Sequence, residues 1–241
     1  MPRAKTQNIA TEALETGGQP ALPMNYDVRI HSLRLSGSKK GNATVTVNGQ
    51  FAVRGVNVME GPTGLFVSMP SWKDGNNEYH DICFPCTKES RAEFDNAVLG
   101  AYEQACANGA VSQNPAPAAV LPVQYDVRIH SLRPGTGALK GTASVNLNGQ
   151  FAMRRVNIMD GSKGLFVSMP AFKGGNGLYK DYCFPCTKES RAEFNEAVIG
   201  AYTQALTQSQ ATGTDQQQAQ QAETQTPFEY GAHEGVPVMQ M

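Results

Sequence analysis

The sequence predicts an α+β protein built from two similar units in tandem, each an antiparallel β-sheet with one C-terminal amphipathic helix. The stretch from Tyr26 to Tyr102 is repeated, with one extra residue, from Tyr125 to Tyr202, and most aligned positions are identical. Within each copy, alternating apolar and polar residues come first, and a stretch of helical periodicity comes last. A duplicated segment of this length is a domain-sized unit rather than a solenoid repeat.

The strands of the first unit follow from alternation and from turn residues. Asn48 and Gly49 both tolerate positive φ, so they predict a tight hairpin between two alternating segments. Gly55 interrupts the second of these segments and indicates a β-bulge. A turn rich in glycine then leads to a short apolar strand that ends at Pro70. The predicted strands lie at 28–31, 43–47, 51–59, 65–69 and near Ile82.

The helix at the end of each unit has the clearest pattern. Its apolar residues fall at i, i+3, i+4, i+7, i+8 and i+11, which places them in one stripe. Ser90 and Glu93 have the spacing of a capping box, so we predict that Ser90 is the N-cap of the helix. In the second unit Ser190 and Glu193 predict the same start. The stripe of the first helix consists of Phe94, Ala97, Val98, Ala101, Tyr102 and Ala105.

The two units are expected to pair with each other through their sheets. A unit of about 80 residues buries only a modest core alone and gains core by pairing. We therefore predict an intrachain pseudo-dimer, with further self-association left open. The predicted segments are a disordered arm at 1–23, the first unit at 24–107, a Pro/Ala linker at 108–122, the second unit at 123–207 and a Gln-rich disordered tail at 208–241.

Composition predicts a cytoplasmic location and no membrane partner. No apolar run is long enough to span a bilayer, and the first residues lack the order of a secretory signal. The five cysteines are an odd number, which favours a reducing compartment.

A Cys-Phe-Pro-Cys motif occurs in both units, at Cys83–Cys86 and Cys183–Cys186. Two such pairs can bind a tetrahedral zinc ion, and a single pair can be redox active. The motifs contain no glycine or polar residue of the kind that supports a zinc knuckle. They also precede their helices by several residues, so the helix N-terminus does not lower the thiol pKa. We predict buried apolar thiols, with no metal and no cofactor, and keep zinc as the alternative.

No catalytic motif is present, so the protein is not expected to be an enzyme. The sequence lacks nucleophile-elbow, zinc-protease, phosphate-loop and dinucleotide-binding patterns. His31 and His130 each lie in a predicted strand between arginines, and no nucleophile or second ligand is near them in sequence.

Recurrent basic residues provide candidate nucleic-acid contacts. Lys88 and Arg91 lie near a helix start, where backbone N–H groups favour phosphate. Trp72 and Phe172 each precede a lysine, an arrangement typical of single-strand binders. The same residues are equally consistent with a solvated surface. The second unit is the more basic, so we expect binding to depend more on it. The predicted nucleic-acid-binding residues are Trp72, Lys73, Lys88, Arg91, Arg155, Lys163, Phe172, Lys173, Lys180, Lys188 and Arg191.

The run from Glu60 to Tyr102 resembles the SpoVG family of bacteria, the stage V sporulation or septation protein G. The resemblance lies in GLFVSMP, the following D-I-x-x-P and the A-V-L-x-x-Y of the helix, and it recurs in the second unit. It implies a small α+β domain, dimeric through its sheet, that binds DNA or RNA as a regulator of septation, cell division and sporulation or developmental gene expression. The alternative is a protein-interaction module at the division machinery that does not bind nucleic acid directly.

The resemblance also implies roles for individual residues. Arg91 and Arg191 match the family's arginine at the helix start, and Lys73 and Lys173 match one of its two basic residues after MPS. The sequence departs from the family pattern at three kinds of position. The second basic residue after MPS is an aromatic residue here, the basic residue before the last strand is His80 in one copy, and the helices carry glutamate where lysine is expected.

Overall fold

A computed structural model describes residues 22–109, 119–175 and 177–223, with residues 211–223 as backbone alone. Both repeats belong to one compact unit that ends at Tyr202, and the chain from Thr203 onward forms a second unit. The predicted arm (apart from its last two residues), the middle of the predicted linker and the end of the predicted tail lie outside the described residues.

Each repeat contains seven strands followed by one helix. This order confirms the predicted α+β class with two tandem units. The first repeat has β1 (Tyr26–Leu33), β2 (Lys39–Val47), β3 (Phe51–Gly61), β4 (Gly64–Ser68), β5 (Ser71–Lys73), β6 (Tyr79–Asp81), β7 (Cys83–Pro85) and α1 (Lys88–Ala107). The second has β8 (Tyr125–Leu132), β9 (Leu139–Leu147), β10 (Phe151–Gly161), β11 (Gly164–Ser168), β12 (Ala171–Lys173), β13 (Tyr179–Asp181), β14 (Cys183–Pro185) and α2 (Lys188–Glu223).

The predicted hairpin and bulge are both present in the first sheet. Asn48 and Gly49 have φ values of 52° and 66°, so a tight turn joins β2 to β3. The register between these strands shifts by one residue at Gly55, which has φ of 78°. At the matching position of the second repeat, Arg155 has φ of 61°. This conformation costs a non-glycine residue about 1–2 kcal/mol.

The repeats exchange strands. The short strand β14 of the second repeat pairs with β3, and β7 of the first repeat pairs with β10. Cys183 therefore lies opposite Val53, while Cys83 lies opposite Met153. Each five-stranded sheet is completed by a strand from the other repeat. The predicted intrachain pairing is thus confirmed, and it takes the form of a reciprocal strand exchange.

The aromatic core is shared between the repeats in the same way. Phe51, which is 1% exposed, packs with its ring centroid 5.5 Å from Phe194 and 6.0 Å from Tyr125, both of the second repeat. Reciprocally, Phe151 lies 6.0 Å from Phe94 of the first repeat. These edge and tilted contacts are favourable geometries for aromatic pairs. Neither repeat therefore has a complete core of its own.

The predicted N-cap at Ser90 is wrong by three residues. Helix α1 begins at Lys88, and its N-cap is Thr87. The Thr87 hydroxyl accepts a hydrogen bond from the Ser90 N–H at 3.0 Å, and the Ser90 hydroxyl accepts one from the Thr87 N–H at 3.1 Å. Ser90 is the third helical residue of this capping box, and its hydroxyl also donates to the carbonyl of Gln150 in the other repeat. Thr187 and Ser190 make the equivalent pair at α2.

Helix α2 extends to Glu223, whereas the sequence predicted a disordered tail from residue 208. The added segment is rich in alanine and glutamine, which have good helix propensity, and the next proline is Pro227. Neither described helix is long and apolar enough to cross a membrane.

Candidate nucleic-acid interface

A groove of about 1180 Å³ lies on the face of the first sheet that is turned away from the core. Its floor is formed by β1, β2 and β3, whose alternate residues point either into the core or into the groove. One wall is formed by the second repeat, through the β12–β13 hairpin and the exchanged strand β14. We call this the first groove. Because both repeats line it, it is a composite site.

The first groove is strongly basic. Five lysine or arginine side chains line it, against the single carboxylate of Asp27. Among the described residues, none of the five forms an ion pair. Burial raises the pKa of the Asp27 carboxyl above its ordinary value. The five cations are Arg29, Arg34, Lys39, Arg54 and Lys180.

His31 lies among these cations. Its Nε2 is 2.8 Å from the hydroxyl of Thr44 on the neighbouring strand. Burial lowers the pKa of His31, and the charges of Arg29 and Arg54 lower it further. The imidazole is therefore neutral at pH 7, and an anion bound in the groove would favour its protonation.

The wall contributed by the second repeat is aromatic. The rings of Phe172 and Tyr182 contact each other with centroids 4.7 Å apart and planes tilted by 39°. The guanidinium of Arg54 lies 4.2 Å from the centroid of Phe184, which is a favourable cation–π distance. The backbone N–H of Arg54 also donates a hydrogen bond to the backbone carbonyl of Tyr182 at 2.6 Å. Strand exchange thus holds a first-repeat cation against second-repeat aromatic rings.

The equivalent face of the second sheet, which we call the second face, differs in composition. Arg128, His130, Arg133 and Arg154 match the cations and the histidine of β1 and β3. Leu139 replaces Lys39, His80 replaces Lys180 and Ile82 replaces Tyr182. The guanidinium of Arg155, where the first groove has Gly55, lies 5.1 Å from the centroid of Trp72. The two faces of the pseudo-dimer are therefore chemically distinct.

The structure separates the residues that were predicted from sequence as nucleic-acid contacts. Only Phe172 and Lys180 line the first groove, while Trp72 and Arg155 meet at the second face. Arg91 is engaged in the protein itself, since its Nε is 3.0 Å from Asp95 and its Nη2 donates to the Val67 carbonyl. The remaining predicted residues, which do not line the groove, are Lys73, Lys88, Lys163, Lys173, Lys188 and Arg191.

The site list from the sequence missed most of the groove. Arg29, Arg34, Lys39 and Arg54 line it but were absent from that list. The alternation of apolar and polar residues could have identified such positions, because Arg29 lies between Val28 and the buried Ile30 in β1. The outward positions Arg29 and His31 of β1 were therefore visible in the sequence as a period of two.

The cysteine motifs agree only in part with the predicted buried thiols. Cys83 and Cys183 are fully buried, and burial raises the pKa of Cys83. Cys86 is partly buried, with its pKa raised by burial to about 11 and its sulfur accepting a hydrogen bond from Asn146. Cys186 is exposed, so for this residue the prediction is wrong. Burial thus keeps Cys83 and Cys86 in the thiol form at neutral pH.

Three potential metal ligands lie close together in the first repeat. The ligand atoms of Asp74, Glu78 and His80 fall within 4.8 Å of one another, and no cysteine belongs to any such group among the described residues. His80 Nε2 lies 2.9 Å from the Asp74 carboxylate. The second repeat has Gly174 and Leu178 at the matching positions, so this group is not a shared feature of the two copies.

Two strand-exchanged α+β units, with a basic and partly aromatic groove on one sheet face, define a duplicated small α+β domain. The sequence model of SpoVG matches residues 24–104 and 123–204. These two matches span more than half of the chain, and the chain belongs to the SpoVG family. The resemblance noted in the sequence is thereby confirmed.

Individual relatives match one repeat length of the chain. A septation protein SpoVG of Symbiobacterium thermophilum is 41% identical over 87 residues, which are 36% of this chain and 62% of that protein. Those of Clostridium beijerinckii and Heliobacterium modesticaldum are both 42% identical, over 33% and 34% of this chain and 87% and 92% of their own lengths.

Proposed function

We propose that this protein is a nucleic-acid-binding regulator whose binding surface is the first groove. The observation that supports this most directly is the set of five cations that line one groove with a single carboxylate, none of which forms an ion pair among the described residues. Phosphate neutralisation by lysine and arginine supplies most of the non-specific affinity for DNA and RNA. The overall formal charge of −1 does not oppose this, because the cations are concentrated locally.

The process that we propose for this regulator is septation, with sporulation or developmental gene expression as the wider setting. The support is the name SpoVG that the relatives carry, which refers to septation. The proposed ligand is DNA or RNA, the proposed location is the cytoplasm, and no catalytic activity is proposed.

Binding to mixed nucleic acid across a salt series tests this function. Each contacted phosphate contributes a slope of about −0.7 for single strands and −0.9 for duplex DNA in a plot of log K against log salt. If three to five groove cations are engaged, the slope should be about −2 to −4.5. The double variant Arg29→Glu/Arg54→Glu should lose most of the affinity. Binding without salt dependence, or none at all, would contradict the proposal.

A matched control uses exposed cations outside the groove. Lys163 and Lys188 are exposed and do not line it. The variant Lys163→Glu/Lys188→Glu carries the same charge change as the groove variant, so any purely global electrostatic effect would appear in both. We expect the control to keep its affinity within about threefold, because neither lysine lines the groove and salt screens exposed charges.

A second candidate function is a protein-interaction module at the division machinery. It is favoured by apolar side chains that are exposed on the edge strands of both sheets. Phe66 in β4 is 48% exposed and Phe166 in β11 is 46% exposed. Among the described strands, β4 pairs only with β3 and β11 only with β10, so each has an edge that can accept a partner strand. If this module is the main function, Phe66→Ser/Phe166→Ser should abolish the cellular role while nucleic-acid affinity is unchanged.

A further inference from the structure

We infer that the first groove takes a single-stranded nucleic acid with a base stacked on the Phe172–Tyr182 wall, and that Arg155 blocks the equivalent position on the second face. One chain then binds one strand although it contains two copies of the domain. This inference rests on the proposed function, because it specifies the ligand and the number of sites. Its structural basis is the difference between Gly55 and Arg155.

The first groove has the two components that single-strand binding requires. Cations on β1 and β3 can follow a phosphate backbone, and half-buried aromatic rings on the opposite wall offer a face to a base. A duplex keeps its bases stacked inside and cannot present them to this wall. The groove volume of about 1180 Å³ also exceeds the 300–1,000 Å³ of common small-molecule pockets.

Gly55 keeps this wall accessible. A Cβ added at Gly55 would lie 3.6 Å from the Pro70 side chain and 3.8 Å from the ring of Tyr182. A longer side chain at this position would therefore lie beside the ring of Tyr182, on which the base is proposed to stack. The positive φ at Gly55 favours glycine for backbone reasons as well.

Arg155 shows what a side chain does at that position. Its guanidinium lies 5.1 Å from the Trp72 centroid, over the ring that corresponds to Phe172. The protein's own cation thus occupies the aromatic face that a base would use. The positive φ of Arg155 is uncommon for a residue other than glycine, and backbone conformations of this kind concentrate at functional positions.

The surrounding charges reinforce the asymmetry. Lys39 and Lys180 of the first groove are replaced at the second face by Leu139 and His80. His80 lies 2.9 Å from the carboxylate of Asp74, and its ring contacts Trp72 with centroids 5.1 Å apart. The second face therefore presents fewer cations to a phosphate backbone.

Exchanging the two residues tests the inference. We titrate full-length protein with a short oligothymidylate, an oligouridylate of equal length and a duplex of equal length. Wild-type protein should bind one single strand per chain, and bind it more tightly than the duplex. Gly55→Arg should weaken that binding by about ten- to hundredfold, as removal of one stacking contact does in single-strand binders. Arg155→Gly should raise the stoichiometry to two strands per chain.

Gly55→Ala is the matched control. It imposes the same positive φ on a non-glycine residue but adds no guanidinium, so it should keep its affinity within about threefold of wild type. Circular dichroism and the thermal midpoint of each variant confirm folding, and Arg155 itself shows that an arginine is accommodated at this backbone position.

Each outcome separates the inference from the function on which it rests. Two strands per wild-type chain, unchanged affinity in Gly55→Arg or a preference for duplex would overturn the inference. If binding nevertheless remains steeply salt dependent and is lost in Arg29→Glu/Arg54→Glu, the proposed function stands. If no probe shows salt-dependent binding, both the inference and the proposed function are contradicted. Equal affinities for the thymidylate and the uridylate would assign the recognition to features that the two strands share, and a preference for one would add a contact with the sugar or with the thymine methyl group.

Discussion

Truncation of Phe51 to alanine should destabilise both repeats together. Phe51 belongs to the first repeat by sequence, but its ring packs on Tyr125 and Phe194 of the second. It is 1% exposed, so its removal leaves a cavity between the two units. Replacement of a buried phenylalanine by alanine costs about 3–5 kcal/mol.

The cost is large compared with the whole stability of such a protein. Domains unfold with a free energy of about 5–15 kcal/mol, so Phe51→Ala should remove a substantial fraction of it. For a chain of this size each kcal/mol lowers the melting temperature by about 2–4 °C. We therefore expect a decrease of about 6–20 °C in calorimetry, in a single transition that includes both repeats.

Phe66→Ala is the matched control. Phe66 lies in the same repeat but is 48% exposed, so the same truncation should cost at most about 1 kcal/mol. The shared-core interpretation would be refuted by two separate unfolding transitions of which only one moves in Phe51→Ala. It would also be refuted if Phe51→Ala and Phe66→Ala had equal effects.

Three further predictions concern caps and titrating groups. Thr87→Ala should lower the free energy of unfolding by about 1 kcal/mol in denaturant titrations, because it removes the N-cap of α1, whereas Thr87→Ser should be nearly neutral. Affinity for oligothymidylate should rise as the pH falls below about 6.5, and should do so less in His31→Gln, because Arg29 and Arg54 together with burial lower the pKa of His31 and a bound phosphate raises it. Burial raises the pKa of Tyr125 to about 12. The unfolded tyrosine therefore ionises first, and the free energy of unfolding should fall as the pH rises above about 10, less steeply in Tyr125→Phe.

Local structure could be predicted from sequence wherever a periodic pattern was long enough. The alternating strands, the Asn48–Gly49 turn and the bulge at Gly55 all follow from side-chain spacing and permitted φ values. The helix start was missed because Thr87 and Ser90 both have hydroxyl side chains suited to capping, and their spacing allows either to be read as the N-cap. The choice depends on Ser90 being buried against the Gln150 carbonyl, which is a tertiary contact.

Strand exchange could not be predicted from the sequence for a specific physical reason. The strands β7 and β14 have the same sequence, Cys-Phe-Pro, and β3 and β10 are close in sequence. Pairing within a repeat or between repeats therefore offers nearly identical local hydrogen bonds and side-chain contacts. The outcome is decided by the path of the chain and by burial of the shared aromatic core, neither of which is encoded in any single window.

The candidate site was harder to predict because it is composite. Sequence neighbours such as Trp72 and Lys73 suggested a local site, but Arg54 in β3 meets Phe184 in β14, 130 positions away along the printed sequence. Strand exchange brings such residues together, so a site search confined to one repeat misses the aromatic wall that the other repeat contributes. Trp72 accordingly belongs with Arg155 of the other repeat rather than with the lysine that follows it.

Fusion of the two copies in one chain explains how the faces can differ. In a homodimer of a single copy, replacement of Gly55 by arginine would change both symmetry-related faces at once. In this chain the first copy keeps glycine beside the aromatic wall, while the second copy holds Arg155 over Trp72. The strained backbone of Arg155 costs about 1–2 kcal/mol. That cost is small beside the about 3–5 kcal/mol that a single shared phenylalanine such as Phe51 contributes, so the shared core can accommodate one altered face without loss of the fold.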